Sequence, residues 1–160
     1  IRIRLERSGG GNRVYVDDRD VTREIRSAQV TQSVSAVSSH QGVRDVLVRE
    51  QRKMAEAGGV VLEGRDIATV VLPEADLKIY MIARIDERVR RRKSELEADG
   101  VTVDSGKLQQ EILERDRLDS TREASPLRKA PGSLEVDTSS MSIEQQVQIV
   151  VDKAKDIVGV

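Results

Sequence analysis

An apolar run that ends in Gly-Arg-Asp constrains the fold of this 160-residue chain more than any other feature. Residues 59–63 read Gly-Val-Val-Leu-Glu, and Gly64-Arg65-Asp66 follows directly. A short β-branched run of this kind is typical of a buried parallel strand, and open α/β sheets bind ligands at the carboxyl ends of such strands. Arg65 could grip a phosphate with two parallel hydrogen bonds, and Asp66 could accept a hydrogen bond from the same ligand. The alternative is a surface Arg-Asp pair in a turn.

The flanking sequence alternates between strand and helix patterns. Alternation of this kind with short connections predicts an α/β fold, in which helices flank a parallel sheet. The closing helix carries an apolar stripe, and Ser142 with Gln145 predicts a capping box at its start. The predicted elements are a hairpin of strands 1–6 and 13–17, helices 28–39 and 43–57, a strand 77–82, helices 86–97 and 108–118, a strand 133–137 and a helix 143–158.

Composition excludes several classes of function. The chain has no cysteine and one histidine, so disulfides, thiolate metal sites and multi-histidine zinc sites are excluded. It has no Phe or Trp, which argues against a ring platform for stacking bases. The net charge is −1 and no apolar run is long enough to span a bilayer. We therefore expect a cytoplasmic protein without a nucleic-acid or membrane partner.

A basic helix forms the first group of candidate site residues. Arg88, Arg91 and Arg92 lie three and four positions apart, so they share one helix face and could converge on phosphates. The alternative is a solvated charged face. Nearby, Ser105-Gly106-Lys107 is followed by leucine rather than Ser or Thr, and residue 101 is not glycine, so it is no phosphate loop.

A second group lies at the end of the next predicted helix. Arg115, Asp119 and Arg122 follow i, i+4, i+7 spacing and share a face if the helix extends that far. An aspartate between two arginines could hold both in fixed rotamers. The alternative is an exposed ladder of ion pairs that contributes little to stability.

Taken together, these motifs resemble those of the bacterial cytidylate kinases. Their order and spacing agree over essentially the whole chain, and the set is specific although each motif alone is weak. The matching segments are Asp20–Arg26, Ser35, Val43-Arg44, Gly64-Arg65-Asp66 with Thr69-Val70-Val71, Glu114-Arg115-Asp116 through Asp119 and Arg122, Ala124–Leu127 and Leu134–Asp137.

The resemblance implies an α/β kinase of the P-loop, nucleoside-monophosphate kinase type that moves a phosphoryl group from ATP to CMP or dCMP with Mg²⁺. It implies that residues 1–42 form a small insert of β-hairpin plus helix near the CMP site. Residues 43–160 would be the remaining core, with a lid at about 84–106. A full-length enzyme of this family is expected to be a monomer.

The resemblance also implies a role for each matching residue. Arg115 and Arg122 would be catalytic, with Arg115 stabilising the transferring phosphoryl group. Arg65 and Arg122 would hold the CMP phosphate, and Asp119 would contact the ribose. The remaining assignments are Ser35, Arg44 and Asp66 to the cytosine or sugar, and Arg88, Arg91 and Arg92 to the lid over ATP.

Two departures from the family pattern qualify these expectations. Leu118 stands where the family often has arginine, which removes one ion-pair contact. The chain also contains no Gly-x-x-x-x-Gly-Lys-Ser/Thr loop, the segment that cradles ATP phosphates and ligates magnesium. Our hypothesis is that the chain is the carboxyl-terminal portion of a cytidylate kinase, with no metal ligand of its own and no kinase activity alone. The competing hypotheses are a non-catalytic nucleotide-binding module and a nucleic-acid binder that uses the basic helix.

Overall fold

A computed structural model describes residues 1–9, 11–98 and 100–159 of the chain. The chain divides into two compact units, Ile1–Val60 and Val61–Val160. Together they have a mixed α/β architecture with a parallel strand pair and helices, as the sequence predicts. None of the helices in the described ranges is long and apolar enough to cross a membrane.

The first unit opens with an antiparallel sheet. Strands β1 (Ile3–Ser8) and β2 (Gly11–Val16) pair with Ile3 opposite Val16, and the short β3 (Arg19–Asp20) pairs with the end of β2. The predicted hairpin is therefore confirmed. Alternation in the sequence produces it because successive side chains of a strand point to opposite faces.

Two helices complete the first unit. Helix α1 (Ala28–Ser38) begins at Ser27, whose hydroxyl accepts a hydrogen bond from the Val30 amide, and helix α2 (Gln41–Ala55) follows. Gly58 and Gly59 lie just beyond α2 with φ values of 70° and 63°, a conformation that glycine adopts without strain. Both helices confirm the sequence prediction, including the glycine stop.

The second unit contains the parallel strand pair. Strand β4 (Ile79–Ile82) lies parallel to β5 (Leu134–Asp137), with Ile79 opposite Leu134. Helices α3 (Ile85–Ala98) and α4 (Ser105–Thr121) form the connection between them, as parallel strands require. Its buried apolar side chains are Val71, Val89, Leu108, Ala124, Ala130 and Val136.

The last helix, α5 (Ile143–Val158), confirms the predicted capping box. The Ser142 hydroxyl accepts from the Gln145 amide, and the Gln145 side chain accepts from the Ser142 amide. The apolar stripe predicted for this helix is present but remains open to solvent, since Ile143 is 74% exposed and Val147 is 54% exposed.

The strand predicted before Gly64 is wrong. Residues 59–63 are not a strand, and Val61 is 93% exposed. The physical reason is that a strand needs a neighbouring edge with which to exchange backbone hydrogen bonds. In the part of the chain that the structure describes, β4 and β5 pair only with each other. The segment therefore keeps its β-branched composition without adopting the conformation that the composition favours.

The functional division at residue 42 stays a prediction. Helix α2 lies in the same compact unit as the hairpin, and that unit extends to Val60. The assignment of residues 1–42 to a CMP insert and of 43–160 to a kinase core concerns function, which compactness does not test.

Candidate functional site

The inward-facing side chains of α4 change from apolar to charged along the helix. The stripe that they form begins with Leu108, 5% exposed, and it ends with Asp119, 2% exposed. Arg115 and Asp116 lie between them at positions of the same stripe. Charged side chains at positions that would otherwise pack a core do not help the helix to fold, because burying a charge is costly unless it is paired. Their presence here makes the end of this helix a candidate site.

Three guanidinium groups surround the Asp119 carboxylate. Its Oδ2 atom lies 3.1 Å from Arg65 Nε and 3.9 Å from Arg115 Nε, and its Oδ1 atom lies 3.4 Å from Arg122 Nη1. We call Arg65, Arg115, Asp119 and Arg122 the arginine cluster. Three positive charges and one negative charge leave a net charge of +2, which matches the charge of a phosphate dianion.

Arg122 joins the cluster from beyond the end of α4. The helix ends at Thr121, and Arg122 has extended backbone angles (φ −62°, ψ 145°). The predicted continuous helical face therefore stops one residue early, yet the contact with Asp119 forms. It forms because the chain folds back: Arg122 Nε donates to the Ser125 carbonyl at 2.9 Å, and the Leu127 amide donates to the Asp119 carbonyl at 2.8 Å. The Arg122 side chain is only 6% exposed.

Arg65 reaches the cluster from a turn rather than from a strand end. Residues Ile67–Val71 form a single π-helical turn, and the Asp66 carbonyl accepts from the Val70 amide at 2.9 Å. A Cβ atom on Gly64 would lie 2.9 Å from Ile67 Cγ1, so glycine allows this close approach. π-Turns are rare and are found frequently at functional sites. Gly-Arg-Asp thus opens a turn that brings Arg65 to Asp119, although the strand predicted before it does not form.

The arginines of α3 do not converge on one point. Arg88 pairs through both terminal nitrogens with Asp116 of α4. Arg91 donates to the Thr138 carbonyl at 2.5 Å and to the Thr138 hydroxyl at 3.1 Å, just after β5. Arg92, 43% exposed, pairs with Glu95 within the helix. The solvated-face alternative describes Arg92 best, whereas Arg88 and Arg91 hold elements of the second unit together.

Glu87 is the acidic partner within α3. Its carboxylate accepts hydrogen bonds from Arg90 and from Arg91, both at 2.7 Å. The hydrogen bond from Arg90 has the largest effect and that from Arg91 the next largest, and together they lower the pKa of Glu87 to about 2. Sequence reasoning missed Glu87 and Thr138 as partners. The i, i+3 and i, i+4 spacing of Glu87 with the two arginines was an available signal, whereas nothing local indicates Thr138.

Two predicted site residues belong to the first unit. Arg44, on α2, is 6% exposed, which is unusual for an arginine and indicates a role beyond solubility. Ser35, on α1, is half-buried. Asp66, in the second unit, is 4% exposed. The structure places all three, and their assignment to cytosine or sugar stays a prediction.

The carboxylates near the arginine cluster lie against arginines rather than against one another. No three carboxylate or imidazole side chains in the described ranges are grouped so that they could hold a metal. Several carboxylates of the second unit are instead engaged by arginines, as in the Asp116 pair with Arg88 and the Asp119 contacts. The chemistry that these side chains can perform is the binding and charge stabilisation of an anion.

Comparison with known proteins shows the family of the chain. The family model described as cytidylate kinase matches residues 1–156. The chain is 45% identical over 152 residues to a protein of Bacillus pumilus named "Cytidylate kinase", a match that covers 95% of this chain and 68% of that protein. A namesake from Geobacillus kaustophilus is 48% identical, with coverages of 98% and 70%, and one from Streptococcus thermophilus is 48% identical, with 93% and 66%. The chain belongs to the cytidylate kinase family.

Proposed function

We propose that this chain supplies the nucleoside-monophosphate site of a kinase that transfers a phosphoryl group to CMP or dCMP. The observation that carries the proposal is the arginine cluster, in which three guanidinium groups meet at one buried carboxylate. Phosphoryl transfer requires little covalent chemistry from a protein. It requires correct positioning and positive charge near the oxygens of the transferring group.

Within this proposal the arginines of the cluster have different roles. Arg65 and Arg122 hold the phosphate of the monophosphate, and Arg115, with the longest contact to Asp119, is the one placed to turn toward the transferring phosphoryl. Asp119 is 3% exposed at its side chain, and both of its oxygens face guanidinium groups. This burial supports a role in holding the arginines in addition to the ribose contact that the family resemblance implies.

The phosphoryl donor is the second part of the proposal. ATP with Mg²⁺ is the donor expected for the family, yet the 160 residues contain no Gly-x-x-x-x-Gly-Lys-Ser/Thr loop and the described residues offer no metal site. We assign no step to magnesium in this chain. The proposal is that the 160-residue chain alone binds CMP but does not phosphorylate it, and that the complete enzyme serves cytoplasmic pyrimidine metabolism.

A calorimetric titration of the purified chain tests the proposal. We expect CMP to bind and cytidine, which lacks the phosphate, to bind at least tenfold more weakly, because a hydrogen bond to a charged group contributes about 1.5–3 kcal/mol. Arg65→Gln should reduce CMP affinity by a similar factor. Arg117→Gln, on the exposed face of the same helix as Arg115, is the matched control and should leave the affinity unchanged.

Two results would count against the proposal. Equal affinity for CMP and cytidine would show that the arginine cluster does not bind the phosphate. Formation of CDP from ATP and CMP by the 160-residue chain, measured by chromatography, would show that it is active alone.

A further inference from the structure

A bidentate ion pair joins helices α3 and α4. Arg88 Nη2 donates to Asp116 Oδ1 at 2.9 Å, and Arg88 Nη1 donates to Asp116 Oδ2 in a second parallel bond. The two side chains are 32% and 27% exposed and are 28 positions apart in sequence. The hydrogen bond with Asp116 raises the pKa of Arg88. Paired bonds of this type specify geometry as well as charge.

The neighbouring arginines of α3 behave differently. Arg90 pairs with Glu87, and Arg92 pairs with Glu95, each within one turn of the helix. Such local pairs can stabilise a helix but cannot fix its position against another helix. Arg88 differs because its partner belongs to α4, so the pair constrains one helix relative to the other.

The α3 end of this connection is itself anchored. Arg91, one turn from Arg88 on the same helix, donates two hydrogen bonds to Thr138, which directly follows β5. Thr138 is 3% exposed, and its hydroxyl also donates to the carbonyl of Ile82 at the end of β4. Helix α3 is therefore tied by Arg91 to the ends of the parallel strands and by Arg88 to Asp116.

The α4 end of the connection lies on the same helix as two members of the arginine cluster. Asp116 follows Arg115 directly and precedes Asp119 by three residues. One residue of an α-helix corresponds to a rotation of about 100°, so a helix that turns about its axis carries all three side chains with it. Arg115 and Asp119 lie on the same helix and move together, whereas Arg65 lies outside α4, so a small rotation would change the 3.1 Å contact between Asp119 and Arg65.

We propose that Asp116 is a positioning residue: through Arg88 it sets the rotation of α4 that directs Arg115 and Asp119 toward Arg65. The inference rests on the proposed function for its effect on CMP binding. The predicted lid arginine Arg88 accordingly acts on the monophosphate site, through Asp116. Asp116 does not itself contact the ligand.

Two single substitutions, each of which removes one negative charge, distinguish this role from a general loss of charge. Asp116→Asn removes the pair between the helices. Glu114→Gln, the matched control, removes a bidentate pair with Arg117 that lies on the exposed face of α4, where the side chains are 54% and 60% exposed. The double exchange Arg88→Asp with Asp116→Arg restores a pair of reversed polarity at the same place.

We expect Asp116→Asn to weaken CMP binding by about five- to tenfold in calorimetric titration, as is usual for residues coupled through contact. Glu114→Gln should bind as the parent chain does, and the double exchange should recover most of the affinity. Circular dichroism of each variant would verify that its helices are retained. Unchanged affinity in Asp116→Asn, or failure of the folded double exchange to recover any affinity, would overturn the proposal.

A second readout keeps the inference separate from the proposed function. In an NMR spectrum of the chain labelled with ¹⁵N at its arginines, the Nε–H signals of Arg65 and Arg115 report on their contacts with Asp119 without any ligand. Asp116→Asn should shift the Arg65 signal and Glu114→Gln should not. If the parent chain fails to bind CMP, the proposed function fails while this spectrum still decides the positioning role; an unchanged Arg65 signal would then refute it.

Discussion

At the scale of single residues, the second unit uses buried charge to hold functional groups in place. Asp119 is almost fully buried, yet its carboxylate faces three guanidinium groups. Removing Asp119 is more costly than removing a partner of an exposed pair, because Arg122, with a side chain 6% exposed, stays buried without its counter-charge. The identity of this one side chain should therefore affect both stability and anion binding.

Asp119→Asn should destabilise the chain by about 3 kcal/mol, because three clustered guanidinium groups lose their counter-charge. Phosphate ions should restore part of the loss by entering the cluster. The measurement is the melting temperature in chloride and in phosphate buffer, with Asp156→Asn, which breaks an exposed pair with Lys153, as control. The prediction fails if phosphate raises the melting temperature of the parent and of Asp119→Asn equally.

Glu87 should make the stability of the chain depend on acid pH. Its pKa falls from the ordinary 4.5 to about 2 in the folded chain, through Arg90 and Arg91. A lowered carboxyl pKa contributes stability that is fully present above pH 4.5 and is lost as the pH falls toward 2. The melting temperature of Glu87→Gln should therefore lie below that of the parent at neutral pH, and the gap should close on acidification. A gap that stays constant between neutral pH and the acid range would contradict this.

Glu95→Gln is the matched control for that titration. Glu95 pairs with Arg92 on the same helix, but the two side chains are 64% and 43% exposed. An exposed pair contributes little, so we expect Glu95→Gln to melt close to the parent at neutral pH.

At the scale of elements, the helices begin where local sequence allows their free amide groups to be satisfied. Asp104 caps α4 by accepting from the Lys107 amide, and Ser142 caps α5 in a reciprocal capping box with Gln145. Each cap joins residues three positions apart in sequence. Because this signal is local, the start of α5 could be predicted from the sequence. The apolar stripe of α5 is largely exposed, so its capping box contributes a large share of its local stability.

Ser142→Ala should destabilise α5 by about 1 kcal/mol, the usual effect of losing a helix cap. Hydrogen exchange of the first-turn amides measures this locally, and exchange should accelerate at Gln145 and its neighbours. Ser140→Ala is the control, since Ser140 is exposed and lies before the cap. Equal exchange rates in the two variants would show that the box is not important in solution.

At the scale of the whole molecule, charge is balanced rather than accumulated. The net charge is −1. In the described part of α3, the most basic segment, Arg88, Arg90, Arg91, Arg92 and Lys93 each lie within 4.0 Å of a carboxylate. A basic stretch of sequence is therefore not a basic surface, and the nucleic-acid hypothesis loses its main support.

We predict that the chain does not bind duplex DNA or RNA in fluorescence anisotropy at physiological salt. Binding to the phosphate backbone requires cations that release counterions, and those of α3 are already paired. Lowering the salt concentration should produce at most weak binding. A dissociation constant in the micromolar range with a steep dependence on salt would contradict this prediction.

The sequence by itself determined most helix and strand positions and the chemistry of the site. The hairpin, five helices and strands β4 and β5 depend on the spacing of apolar side chains, on caps and on glycine stops, all of which act within a few residues. The spacing of Arg115, Asp119 and Arg122 also indicated that they lie together, whereas the roles of these residues and of Arg65 stay predictions.

Tertiary structure alone decided how the apolar run before Gly64 and the arginines of α3 are used. A strand forms only where another edge supplies backbone partners, so residues 59–63 do not form a strand despite their composition. The partners of Arg88 and Arg91 lie 28 and 47 positions away. Periodicity reports which side chains share a face of one element, whereas the choice of an ionic partner depends on which elements the folded chain brings together.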